Sequence, residues 1–281
     1  MTNVAQSNRD RLDKCRLADH FGRRTRSYDL ATPVQQGMAE TLVCQAQTRL
    51  AGLPVARILE LGCGTGRMTR MLLQQFPAAK ITAVDLSPEM VKFARSNMSG
   101  VDFVVADAES FVADQPAHFD LIISNATAQW FEDAGATLTR ASMLLAGDGL
   151  LAVSTFGERT FCELRQAFEQ AYATAQIAPI QHIVPMPSLR YWQRILADSE
   201  VTTAEVVRHF PSVIEFLHSI RAAGAVNSLT GSHFLSRRIL RAMLAQYPLA
   251  ESEADRPTVP ATYQAIYLYY RAKANHDQCR S

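Results

Sequence analysis

Three glycines in five residues, Gly62, Gly64 and Gly66 of the segment ILELGCGTG (Ile58 to Gly66), follow directly on a run of aliphatic residues. Glycine there permits positive φ and lets a ligand approach the backbone closely. A helix opening just beyond offers unpaired N–H groups and a partial positive charge. Alone, such a turn is weak evidence. A dinucleotide-binding turn, GxGxxG, sets a pyrophosphate on the helix N-terminus, and here the third glycine comes too early for that spacing. Glu60, two positions before Gly62, would repel a pyrophosphate but could hold an ammonium. A cationic amino-acid ligand is therefore preferred. Asp85 ends the next apolar run, nineteen residues after Gly66, where a carboxylate can accept hydrogen bonds from two ribose hydroxyls. Leu86 and Met90 follow it and could pack on a purine. Asp107, followed by Ala108, can pair with an exocyclic amine. Asn125 ends a fourth run, where the ligand's amino-acid end and an acceptor would meet.

These residues need a scaffold that delivers them to one edge. Apolar runs at Ala56–Leu61, Lys80–Val84, Val101–Val105, Phe119–Ser124 and Leu150–Thr155 alternate with helical patterns, among them Met68–Phe76 and Pro88–Asn97. The second helix has Ser87 as N-cap and Pro88 in its first turn. That alternation predicts a parallel sheet, whose strand carboxyl ends are where open α/β sheets bind ligands. Beyond residue 157 the pattern changes. Thr160–Gln176 and Tyr191–Leu196 read as helices around a Pro-broken stretch, Pro179–Pro187. Val201–Phe210 and Thr262–Tyr270 read as two closing strands around a helical block, Val213–Gln246, with a loop at Tyr247–Pro260.

With 281 residues, 48% of them hydrophobic, the chain can bury a large core. Its formal charge of +1, from 28 Lys+Arg and 27 Asp+Glu, gives no reason to expect a nucleic-acid partner. Five scattered cysteines without a CxxC pair predict neither disulfides nor zinc. His182, His209, His218 and His233 lack metal-ligand spacing, so no metal is expected, and Cys63 reads as a small tolerated residue rather than a nucleophile. The opening MTNVAQSNRDRLDKCR has no apolar signal core, and no window reaches 18 uncharged apolar residues. The expectation is a cytoplasmic protein with no membrane partner.

The series Glu60–Gly66, Asp85, Asp107 and Asn125 resembles the class I methyltransferases. That resemblance implies S-adenosyl-L-methionine as cofactor. It also implies a Rossmann-like α/β fold, a seven-stranded mostly parallel sheet with helices on both faces, plus a helical cap insertion. The expected organisation has N-terminal lid helices over 1–50, and a core from 51–157, 200–210 and 260–273. Cap segments would occupy 158–199 and 211–259. A joint accident of a tight turn and a surface Glu60 is the bland alternative.

Three further stretches resemble one subfamily, the malonyl-acyl-carrier-protein O-methyltransferases of biotin synthesis. FGRRTRSYD (Phe21–Asp29) is similar to its FxRAxxxYD helix, SNATAQWF (Ser124–Phe131) to its SNxAxQW, and SIRAAGAVN (Ser219–Asn227) to its SLKxxGAxN, with Pro260 and Tyr263 in the closing segment. Arg24 and Arg221 depart from that family's Ala and Lys. The resemblance implies methyl transfer to the free carboxylate of a malonyl thioester on an acyl carrier protein, a cap that lets the chain pass as a fatty-acyl primer. Carboxyl groups titrate near 4, so the nucleophile is already anionic and needs no general base; positioning and desolvation would carry the rate. Candidate positioning residues are Tyr28, Gln129, Trp130 and Arg23, with Tyr28 either a lid or a packing aromatic. Arg190, Arg208, Arg221, Arg237, Arg238 and Arg241 could form a basic face for an acidic carrier, or be an ordinary solvated surface. Two rivals stand beside this reading: a carboxyl methyltransferase for a free acid of the trans-aconitate type, and a non-catalytic S-adenosylmethionine-binding protein. A nicotinamide oxidoreductase is disfavoured by Glu60 and the glycine spacing.

Overall fold

The computed structural model describes residues 13–116, 118–224, 235–250 and 257–273. The first twelve residues of the expected lid, Ala225 to Asn227 of the SIRAAGAVN segment, His233, Cys279 and the middle of the 247–260 loop lie outside the described residues.

Seven strands form one sheet: β1 (Arg57–Leu61), β2 (Lys80–Asp85), β3 (Val101–Val105), β4 (Phe119–Asn125), β5 (Leu145–Phe156), β6 (Glu200–Phe210) and β7 (Val259–Arg271). Their spatial order is β3-β2-β1-β4-β5-β7-β6. The first five pair in parallel, and β7 runs antiparallel to both β5 and β6. This is the expected mostly parallel seven-stranded fold. From β1 the chain steps outward through β2 and β3, then returns to place β4 on the other side of β1. That reversal opens a crevice at the carboxyl ends of β1 and β4.

Alternate residues of the central strands serve opposite faces. Ile58, Leu121, Ile123, Leu150 and Ala152 enter one core, whereas Leu59, Leu61, Ile122, Leu151 and Val153 enter the other. The first core is covered by α3 (Pro33–Arg49), which buries Val34, Met38, Leu42, Val43 and Ala46, and by α4 (Arg67–Gln75) through Met68 and Leu72. Leu42 is fully buried, so its truncation to Ala would remove about 2–5 kcal/mol. The second core takes Leu138 of α7 (Ala134–Met143) and Trp192 of α9 (Leu189–Ile195). α5 (Pro88–Asn97) starts on Ser87, whose hydroxyl accepts from the Met90 N–H, and α6 (Ala108–Ala113) starts on Asp107. α8 (Cys162–Ala175) packs against α11 (Arg237–Gln246), and α10 (Val213–Ala222) contributes Val213 and Phe216 to the same core.

Two sequence expectations change in detail. The FGRRTRSYD segment is not one helix. α1 (Lys14–Gly22) ends there and α2 (Thr25–Ala31) begins after a turn at Arg23 and Arg24. A Cβ on Gly22 would stand 2.7 Å from a Glu89 carboxylate oxygen, so this glycine lets α1 press against the start of α5. β7 starts at Val259 rather than Thr262. Pro260 is tolerated because β5 pairs with β7 only from Ala265 onward, leaving one flank of the strand start without a ladder partner. Among the described residues, no helix is long and apolar enough to cross a membrane, and no group of three or more His, Cys, Asp or Glu could hold a metal ion.

Candidate functional site

At the carboxyl ends of β1 to β4, with α1 and α2 on its far side, lies a cavity of about 1050 Å³. Four carboxylates line it, Asp29, Glu60, Asp85 and Asp107, against two cations, Lys14 and Arg67. A second cavity of about 830 Å³ adjoins it and shares Phe21, Tyr28, Gln35, Ala126 and Trp130 with it. Among the described residues no carboxylate lines this second space, and the one charged lining residue is Arg208.

Glu60 sits on β1, fully buried on the face toward α4. The Thr69 hydroxyl donates to its Oε2 at 2.6 Å, while Oε1 is buried without a hydrogen-bond partner among the described residues. Burial pushes the Glu60 carboxyl up to about 8; the Thr69 bond opposes this, and the nearby Asp85 charge adds to it. A buried carboxylate oxygen with no donor is unfavourable unless a cation meets it.

The glycine turn is held by Asp85. Its Oδ2 accepts the Gly64 N–H and its Oδ1 the Ser87 N–H, both at 2.8 Å. Each oxygen keeps a lone pair for a further donor. Burial raises the Asp85 pKa, and the two backbone N–H groups offset part of that rise. Gly62 has φ +79°, and any Cβ there would run into the Thr127 side chain. The turn from β1 and the loop after β4 thus close on each other through this glycine. Leu86, Met90, Asp107 and Ala108 line the same cavity further along.

Asp107 caps α6 through the Glu109 N–H at 3.1 Å and pairs with Lys14 of α1, which also pairs with Glu109. Burial alone would raise the Glu109 carboxyl, but Lys14 and the Glu132 and Asp133 N–H groups outweigh it and hold it below its ordinary value. Burial likewise opposes the Lys14 charge, and the two carboxylates reverse the balance, raising its pKa. One lysine therefore fastens the N-terminal helix over the third strand's end.

Asn125 lines the first cavity, yet its side chain is engaged within the protein. Its Nδ2 donates to the Gln35 carbonyl at 3.0 Å and its Oδ1 accepts from Ser154 at 2.6 Å. It anchors α3 to the sheet. Gln129 lines the second cavity with both ends of its amide also matched: Nε2 donates to the Ala126 carbonyl at 2.7 Å and Oε1 accepts from Thr155 at 2.8 Å. Tyr28 and Trp130 stand where the two cavities meet, each edge-on to Phe21 at 5.9 Å and 77°. Burial and the charges of Asp85 and Asp29 push the Tyr28 phenol far above its ordinary pKa, so it stays protonated. Arg23 is exposed and lines neither cavity, because the break after Gly22 turns it outward. Lys14, Phe21, Gln35 and Thr127 also line the cavities without having been singled out by sequence reasoning, and Arg208, expected only as part of a basic face, lines the second. Phe21 and Thr127 lie inside segments already flagged, which was the available signal.

A family model described as "Methyltransferase domain" matches residues 58–149. Over 273 residues the chain is 35% identical to a malonyl-[acyl-carrier protein] O-methyltransferase from Bacillus cytotoxicus, covering 92% of each chain. Over 282 residues it is 34% identical to the protein of the same name from Acetivibrio thermocellus, covering 93% of this chain and 95% of the relative. Among solved structures, the YcgJ protein from Bacillus subtilis superposes with a TM-score of 0.56 at 14% identity, over 84% of this chain and 100% of that one. The plantazolicin methyltransferase BpumL, solved with a substrate analogue and SAH, gives 0.52 at 15% identity, over 92% and 97%. At such identities these two structures speak for the fold.

Proposed function

This chain belongs to the malonyl-[acyl-carrier protein] O-methyltransferase family, and on that premise we propose that it esterifies the free carboxylate of a malonyl thioester carried by an acyl carrier protein. The observation that carries the reading is the contrast between adjoining cavities. Among the described residues, one is lined by Asp29, Glu60, Asp85 and Asp107 and contains an unmatched buried oxygen on Glu60, and the other by no carboxylate and one arginine. A cationic methyl donor and an anionic acceptor are the pair that such a site separates and presents to each other.

The first cavity fits S-adenosyl-L-methionine by its donor set. Glu60 Oε1 is the position for an ammonium, Asp85 retains acceptor capacity for two ribose hydroxyls, and Leu86 and Met90 offer apolar contact for a purine beside Asp107 and Ala108. When bound, this cofactor would supply an electrophilic methyl group to the acceptor carboxylate, with a neutral thioether as the leaving group. The protein needs no base, because the acceptor carboxylate is ionised at neutral pH. Tyr28, held protonated, is a hydrogen-bond donor at the junction, and Trp130 and Phe21 close the passage against water. Gln129 and Asn125 fix the loop and helix around the junction through their internal bonds, rather than by meeting the acceptor. Arg23 takes no part in positioning in this reading. With Arg26 and Arg221 it is exposed on the elements that border the second cavity, where an acidic carrier would dock.

The test is label transfer from methyl-labelled S-adenosylmethionine to malonyl carrier protein, malonyl coenzyme A, free malonate and trans-aconitate, scored as base-labile ester. Label in the malonyl thioesters, with the carrier protein preferred, is the expected result. Label in a free acid alone, or in none, overturns it.

A further inference from the structure

We propose that Arg208 receives the acceptor's carboxylate and sets the preference for a charged over a neutral acyl thioester; this rests on reading the second cavity as the acceptor site. Arg208 lies on β6 opposite Ala261 of β7, and two residues on is Phe210, opposite Val259. Strand alternation puts Arg208 and Phe210 on one face, and both line the cavity together with Tyr263, which pairs with Val206 on the same face. The guanidinium stands over the Phe210 ring at 5.8 Å.

Three arginines on or against β6 and β7 already have anionic partners. Arg49 forks onto Glu200 at 2.8 and 3.0 Å, Arg159 pairs with Glu205, and Arg271 approaches Asp148. Among the described residues Arg208 pairs with no carboxylate, and none of them lines the cavity it faces with a carboxylate. Arg208 is half-buried in a cavity that Phe156, Phe161 and Met186 also line, so its guanidinium is a forked donor for a carboxylate in partly desolvated surroundings. Its field already acts inside the cavity: burial pushes Tyr263 up to about 12, and Arg208 restrains that rise. A carboxylate has two oxygens. Pairing one with Arg208 leaves the other to bond the methyl carbon, and the neutral ester that results no longer attracts the guanidinium.

The experiment measures, on the full chain, kcat/KM for malonyl carrier protein, the inhibition constant of acetyl carrier protein and the cofactor Kd, for the wild type, Arg208→Met and Arg208→Lys. Acetyl thioester lacks the carboxylate but shares the rest. The expected result is that Arg208→Met lowers malonyl kcat/KM about 10- to 100-fold, the size of one charge-assisted hydrogen bond. Acetyl inhibition and cofactor Kd should stay within about twofold on the same estimate, and Arg208→Lys should recover part of the loss. The proposal is overturned if Arg208→Met leaves malonyl turnover intact, if acetyl inhibition weakens in parallel, if Lys does no better than Met, or if both variants lose the cofactor. A wild type that methylates no malonyl thioester refutes the function itself, an outcome distinct from all of these.

Discussion

The two adjoining cavities are built from different kinds of sequence. The acid-lined one is assembled from the ends of consecutive strands, so Glu60, Asp85 and Asp107 arrive at it in chain order at regular intervals. The second one takes Phe21, Gln129, Phe156, Arg208 and Tyr263 from five separated elements. The first therefore reads as a binding site that the sheet itself supplies, and the second as one built by the N-terminal helices, the ends of β5 to β7 and the helix after β6. Charge follows the same division: among the described residues, acids line the cavity proposed for the cation and one guanidinium lines the cavity proposed for the anion.

That contrast is open to direct attack. Asp85→Ala strands the Gly64 and Ser87 N–H groups and removes two acceptors from the first cavity. Calorimetry should show cofactor affinity falling by about 100-fold or more, with malonyl thioester affinity little changed; equal loss of both would dissolve the distinction between the cavities. At the junction, where both spaces share Trp130, Trp130→Ala should reduce kcat by about tenfold or more by opening the passage to water, and Tyr28→Phe by several-fold, in single-turnover assays. An unchanged kcat in both would make these aromatics simple packing.

The pH dependence probes the acid-lined cavity alone. In the free folded protein Glu60 is raised from 4.5 to about 8, so it holds its proton more tightly than in the unfolded chain. Its stabilising contribution is complete below about 4.5 and is lost as pH rises through about 8. An ammonium-bearing ligand favours the ionised form, so cofactor affinity should climb by up to about tenfold per unit from pH 6 to 8, with release of a proton. Glu60→Gln should abolish that slope, and a flat wild-type profile would refute the assignment of Glu60. The smallest effect expected is for Lys14→Met. Loss of its pairs with Asp107 and Glu109 should speed cofactor dissociation by only a few-fold, because such a partly exposed pair is screened, and added salt should mimic the change.

Much of the first cavity was legible in the sequence because its signals are local. An apolar strand ends in glycines or an acid, and a helix cap follows within a few residues, so position along the chain implies position at the sheet edge. The same logic failed where side chains turn inward or outward by tertiary contact. Arg23 looked like an acceptor ligand, but Gly22 breaks the helix against Glu89 and leaves Arg23 exposed. Asn125 and Gln129 sat at the right strand end and loop, yet internal partners occupy their amides. Arg208 stood among several scattered arginines, and only its pairing opposite Ala261 on β7 reveals that it faces a cavity.

The most direct measurement is a crystal structure of the chain with S-adenosylhomocysteine and a malonyl thioester together. The amino group should lie within hydrogen-bond reach of Glu60 Oε1, the ribose hydroxyls on Asp85, and the malonyl carboxylate in the second cavity beyond Tyr28 and Trp130. A carboxylate seated among Asp29, Glu60 and Asp85, or an adenosyl group in the second cavity, would contradict the division of the site into a cation-binding and an anion-binding half.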